Sequence, residues 1–273
     1  MDKQSAIGVF DSGLGGLTVV RAIIEQLEFE DIVYLGDTAR IPYGTRSAQT
    51  VVRYARNCAE KLREHDIKLL VVACNTVSAV ALDILREQID LPILGVIAPG
   101  AKAAVEASRR GRIGVIGTLA TIASGAYVRA ITAIDPRMKV YARATPLLVP
   151  LAEEGWTQGE VPRLAVRHYF EPLVESDIDV VVLGCTHYPL LRSVIEGEVG
   201  MLFSRPISVV DSAQATAQQL ASLLREKRLR AEKKRPGSLR LMVTDKPGRF
   251  AEVASRFLGR NLDGLDIRQI DLL

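Results

Sequence analysis

Two cysteines stand in closely similar surroundings. "LLVVACNT" (Leu69 to Thr76) and "VVVLGCT" (Val180 to Thr186) each carry an apolar run into a small residue, a cysteine and then polar side chains. A free thiol titrates at about 8.5, so a modest shift makes either protonation state accessible near neutral pH. One such group on each face of a carbon could take a proton from one side as thiolate and return one to the other side as thiol. Cys74 and Cys185 therefore point to racemase or epimerase chemistry. The alternative is that they pack as small hydrophobes, the common fate of free cysteine. Against it, both stand at strand ends and both are followed by Thr or Asn-Thr, in positions where a following helix N-terminus would favour thiolate. Cys58, in "TVVRYARNCAEKLRE", lacks those neighbours and reads as structural.

Other residues near these strand ends have two readings each. His187 either exchanges protons with Cys185 or caps the turn ahead of Pro189, while His65 reads as solvent-facing and His168 as helical. Asp11, closing the first strand in "FDSGLGG", is costly to bury unpaired, so it serves as a proton relay or as an N-cap. The Gly13-Leu-Gly15-Gly16 turn has Thr18 where a dinucleotide fingerprint needs its third glycine, so its backbone could as readily cradle a carboxylate. "DTARIPYGTRS" (Asp37 to Ser47) is a loop that could clamp substrate or simply turn the chain.

The elements that must hold these residues alternate. "AIGVF", "DIVYLG", "KLLVVAC", "LPILGVI", "RIGVIG", "KVYARA", "VVVLGC" and "PISVVD" read as strands separated by helix-length segments. That rhythm predicts an α/β fold with mainly parallel, doubly covered sheets and ligands at the carboxyl ends of the strands. "IGVFDSG" and "IGVIGTL" lie 106 positions apart and the two cysteines 111 apart, which predicts two similar lobes facing each other. The expected division places residues 1–98 with 208–273 in one lobe and 99–207 in the other, with an extension from about 236. In that extension "LRLMVT", "KPGRFAEVASRFLG" and "LDIRQIDLL" predict strand, helix and strand, to which no chemistry is assigned.

Composition narrows the class. The chain has 273 residues, 48% of them hydrophobic, ample for a large core, and neither a membrane-length apolar run nor a secretory leader is legible. Three cysteines without a CxxC pair suggest no disulfide framework and no metal site. The run Arg225–Arg235 holds seven Lys/Arg against two Glu and by itself outweighs the net charge of +3, so it reads as a solvated helix end and linker rather than a nucleic-acid face.

"FDSGLGGLTV", "YLGDTARIPYG", "VVACNT", "PILGVIAPGA", "IGVIGT", "LVPLAEEG" and "LGCTHYPLL" together resemble the bacterial glutamate racemases, over residues 7–191 and into the early 220s. The paired cysteine motifs are shared with the wider aspartate/glutamate racemase superfamily, and "DTARIPYG" favours glutamate. The resemblance implies two lobes with the active site between them and cofactor-independent proton transfer at Cα. In it, Cys185 acts on L-glutamate and Cys74 on D-glutamate, with His187 and Asp11 as their respective helpers. It further implies substrate contacts from Asp11, Ser12, Pro42, Tyr43, Gly44, Asn75, Thr76, Thr118, Thr121, Glu153, Thr186 and His187. It also implies a homodimer that supplies D-glutamate for peptidoglycan in a bacterial cytoplasm, with no metal, nucleic acid or membrane partner. An aspartate racemase, or a binding protein that keeps the pocket without the reaction, are the competing expectations.

Overall fold

A computed structural model describes residues 2–262, 264–265 and 267–272. Ten strands are found among them: β1 Ala6–Asp11, β2 Ile32–Gly36, β3 Ile67–Val72, β4 Ile93–Gly95, β5 Arg112–Gly117, β6 Lys139–Ala144, β7 Val180–Gly184, β8 Ser208–Asp211, β9 Leu239–Val243 and β10 Ile267–Gln269. They form a six-stranded sheet in the order β10-β9-β2-β1-β3-β4 and a four-stranded sheet in the order β6-β5-β7-β8. Every pairing in both sheets is parallel. Because parallel strands need crossovers, helices cover both faces of each sheet.

The period-two alternation of the strands is legible in the core. Ile7, Val9, Ile32, Tyr34, Leu69 and Val71 point toward the helices Leu17–Gln26, Ser212–Glu226 and Pro247–Leu258. Phe10, Val33, Leu35, Leu70 and Val72 point the other way, onto the helix Ala48–Arg63. The second sheet divides likewise, Val181 and Leu183 facing one cluster and Val180 and Val182 the other. Cys58 sits wholly buried in the Ala48–Arg63 helix, packed as a hydrophobe, and burial pushes its thiol up.

The two-lobed α/β expectation holds, with changes in detail. β8 pairs with β7, so the second lobe runs on to Asp211 and the boundary expected at 208 cuts through its sheet. The chain re-enters the first lobe with the helix Ser212–Glu226, whose N-cap Asp211 accepts from the Ala213 N–H at 2.8 Å. The strand–helix–strand extension adds two strands to the outer edge of the first sheet beside β2. Asp266 and Leu273, within the expected last strand, lie outside the described residues. The basic run is not a free linker: Lys233 pairs with Asp31, and the Ala231 N–H donates to Glu30 Oε1 at 2.7 Å, beside the buried Lys68–Glu30 pair. His65 is half-buried rather than solvent-facing, and burial pulls its pKa down. No helix among the described residues is long and apolar enough to cross a membrane.

Candidate active site

Six strands, three from each sheet, aim their carboxyl ends at one cavity of about 360 Å³. β1 delivers Ser12, the loop after β2 delivers Pro42, Tyr43 and Gly44, and Cys74, Asn75 and Thr76 follow β3. From the second lobe come Thr118 after β5, Glu153 from the helix that follows β6, and Cys185, Thr186 and His187 after β7. Cys74 and Cys185 thus occupy equivalent strand-end positions and line the same space. Two residues expected in the lining stand behind it: Asp11 and Thr121 are buried and do not line the cavity.

The surroundings of the thiols differ. Cys74 is the cap residue of the helix Asn75–Val80, and its thiol donates to Ser12 Oγ at 3.3 Å. The expected pull toward thiolate is outweighed, because burial and then the nearby Asp11 carboxylate push Cys74 up to about 12. Asp11 itself is raised by burial, although His187 and backbone amides of the glycine turn oppose the shift. Its Oδ2 accepts from the Gly13 N–H at 3.0 Å, whereas Oδ1 has no hydrogen-bond partner among the described residues. On the other side, Cys185 Sγ lies 3.7 Å from His187 Nδ1, and His187 Nε2 lies 2.9 Å from Glu153 Oε1. Burial pulls His187 down, but the thiol and the carboxylate outweigh it and push it up to about 10.

Hydroxyl and amide donors fill the wall between the thiols. Thr76 of the first lobe meets Thr118 of the second at 3.0 Å, and Thr118 donates to Thr121 at 2.9 Å. Thr118 also caps its own helix, accepting from the Thr121 N–H. The Asn75 amide is oriented from across the cleft, where the Tyr127 hydroxyl donates to Oδ1 at 2.7 Å. Nδ2 is left buried with no hydrogen-bond partner among the described residues, a donor in want of an acceptor. The loop with Pro42 and Tyr43 is anchored by Asp37, which accepts from the Tyr43 hydroxyl, from Thr244 at 2.9 Å and from Arg40 Nε at 2.8 Å.

Several of these residues escaped sequence reading. Tyr127 lies mid-helix with no motif around it, and Asp37 stood only as the first residue of a loop. The C-terminal extension, given no chemistry, supplies Thr244 to that loop, sets the Phe257 ring against His187 and has Arg256 donate to the Glu153 carbonyl at 3.0 Å. The glycine turn has a role other than a ligand cradle: a Cβ on Gly15 would stand 2.3 Å from Thr186 Oγ1 and 2.6 Å from His187 Nδ1. Gly15 thereby lets the two lobes touch behind the imidazole.

A fold of two parallel-sheet lobes like this one is found in known proteins. Residues 7–220 match the Asp/Glu/Hydantoin racemase family, and the chain belongs to it: it is an amino-acid racemase, an isomerase. Its relatives include the glutamate racemase of Geobacter metallireducens, 50% identical over 98% of this chain and 97% of that one. Another is that of Neisseria meningitidis, 45% identical over 97% of both. Among solved structures, glutamate racemase RacE1 of Bacillus anthracis superposes with a TM-score of 0.93 at 40% identity, covering 99% of this chain and 98% of that one. The Francisella tularensis glutamate racemase, in complex with D-glutamate, gives 0.90 at 35% identity with the same coverage.

Proposed function

We propose that this racemase interconverts L- and D-glutamate without a cofactor, with Cys185 serving the L-face of Cα and Cys74 the D-face. The single observation behind this reading is the pair of thiols at equivalent strand ends, lining one cavity from opposite lobes. In the L-to-D direction the Cys185 thiolate, beside the His187 imidazolium, takes the Cα proton. The Cys74 thiol delivers its own proton to the other face, leaving a thiolate there and a thiol at Cys185. The reverse turnover, or exchange with solvent, resets the pair. The Cα proton is weakly acidic, so the carbanion's charge must be taken up by the α-carboxylate, where fixed donors matter most. Asn75 Nδ2, Ser12, Thr76, Thr118 and Thr186 are the groups placed to provide them.

Glutamate is favoured over aspartate by the company the chain keeps. The relatives at 44–50% identity are glutamate racemases, and solved structures of glutamate racemases hold D-glutamate in one case and L-glutamate in another. An aspartate racemase from Picrophilus torridus shares the fold at 18% identity. The product would supply D-glutamate for peptidoglycan synthesis in a bacterial cytoplasm, a reducing compartment suited to three free cysteines. The exposed Ile41 and Leu119, which line the cavity, give a homodimer an apolar surface to cover.

The test is proton NMR of L-glutamate and, separately, L-aspartate in D₂O, following loss of the α-proton signal together with optical rotation. Loss with racemisation of glutamate alone is expected. Equal turnover of aspartate would remove the substrate assignment, and tight glutamate binding without exchange would make the chain a binding protein.

A further inference from the structure

His187 belongs to the second lobe, yet most of what confines it comes from the first. Gly15, from the turn after β1, lies against one side of the ring closely enough to exclude even a methyl group. The Thr18 hydroxyl reaches the carbonyl of the preceding Thr186 at 3.0 Å. From the C-terminal helix Pro247–Leu258, which packs on the helix Leu17–Gln26, the Phe257 ring meets the imidazole edge-on, 5.2 Å between centroids at 82°. Phe257 is 1% exposed and His187 7%, so the contact is dry. One residue earlier, Arg256 donates across the cleft to the carbonyl of Glu153, whose carboxylate holds His187 Nε2.

We propose that Phe257 and Arg256 are positioning residues for the Cys185 half of the racemisation, holding the His187–Glu153 pair in a dry, fixed orientation from the opposite lobe. The proposal rests on the reading above, in which Cys185 works one face of Cα. The physical argument is one of geometry and dielectric. An imidazolium that must sit 3.7 Å from a thiol while bonded to a carboxylate keeps that arrangement only if its free faces are occupied, and water there would screen both partners. The charged or titratable groups around His187 are Cys185 on its own segment, Glu153 from the helix Leu148–Glu153, Asp11 at the end of β1, and Arg256 acting through Glu153. Among the described residues no counterpart of the Phe257 and Arg256 contacts reaches Cys74, so their loss should fall on one face of the reaction.

The test uses Phe257→Ala, Phe257→Leu and Arg256→Ala in the full chain, with the wild type alongside. Because L- and D-glutamate are equally stable, kcat/KM must fall by the same factor in both directions, about 10-fold or more for Phe257→Ala. Isotope effects separate the two faces. With the Cys185 step slowed, 2-²H-L-glutamate should show a larger effect on kcat/KM than in the wild type and 2-²H-D-glutamate a smaller one. The basic limb of the pH–rate profile should shift from its wild-type position, because water reaching His187 changes both the burial that lowers it and the partners that raise it. Phe257→Leu, which keeps the contact apolar, should restore most of the activity and the pH limb. Arg256 is exposed, so its alanine variant folds whatever becomes of Phe257→Ala, and it should show the same changes on a smaller scale. Equal isotope effects from both isomers, with an unmoved pH limb, would assign these residues to folding alone and overturn the proposal. A wild type that exchanges no α-proton would instead overturn the two-thiol reading itself.

Discussion

The two strand ends that carry Cys74 and Cys185 are equivalent in topology and unlike in electrostatics. Beside Cys74 stands a buried carboxylate, one oxygen of which has no hydrogen-bond partner among the described residues, and together with burial it disfavours a negative sulfur. Beside Cys185 stands His187, which Glu153 holds at its far nitrogen and which the thiol and the carboxylate together push up. A racemase needs mirror-related positions for its acid and base, but nothing requires their environments to match. The difference teaches that the fold's near-symmetry places the sulfurs, while unrelated residues on each side set their electrostatic surroundings.

The sharpest way to break the comparison is to remove one sulfur at a time. Cys74→Ala and Cys185→Ala should each lower racemisation by about 10³-fold or more. Cys74→Ala should still wash solvent deuterium into L-glutamate and Cys185→Ala into D-glutamate, each with retention. Exchange into the wrong isomer, read by NMR, would reverse the assignment of faces.

Removing a helper probes one side more gently. His187→Asn should cut turnover by about 10²-fold. It should also change how stability depends on pH. The folded value of about 10 lies above the ordinary 6.5, so the stability His187 contributes is fully present below pH 6.5 and is lost as pH rises toward 10. Urea midpoints of the wild type should decline across that window, and those of His187→Asn should decline less.

Smaller effects sharpen the picture of the wall between the thiols. Tyr127→Phe leaves Asn75 Oδ1 without its donor and frees the amide to turn, so KM for glutamate should rise about three- to tenfold with kcat nearly constant. A fall in kcat alone, by initial rates, would move Asn75 from substrate binding to the chemical step. Thr121→Val removes a hydroxyl that bonds Thr118 and Thr76 from behind the cavity, and KM should change only about twofold.

What could be read from the chain follows from how local each signal is. Strand alternation, the run of apolar stretches and the cysteines at their ends are short-range patterns, and they yield both sheets, their parallel sense and the two thiols. Ser12, Thr118 and Thr186 were legible for the same reason, since each follows a strand. Tyr127, Phe257 and Arg256 act across the cleft on residues far away in sequence, and nothing around them in the chain announces a partner. The level of the Cys74 thiol also depends on distant packing: a helix N-terminus is visible in sequence, whereas the buried Asp11 that joins burial in opposing it is a matter of three dimensions. The boundary near 208 was missed because β8 is short and half-buried, and its sheet membership depends on its pairing with β7.

The order of strands in the first sheet has a consequence for how the protein is made. β2 is an inner strand of the finished sheet, but the partner on its outer edge is β9, which does not exist until the chain has been translated past Leu239. While the second lobe is synthesised, that edge offers unpaired N–H and C=O groups to any other nascent chain. A ribosome that stops before the final strand–helix–strand leaves an aggregation-prone lobe, and the same missing helix strips His187 of Phe257. Completion of the sheet edge and the packing against His187 therefore depend on the same last segment of the polypeptide.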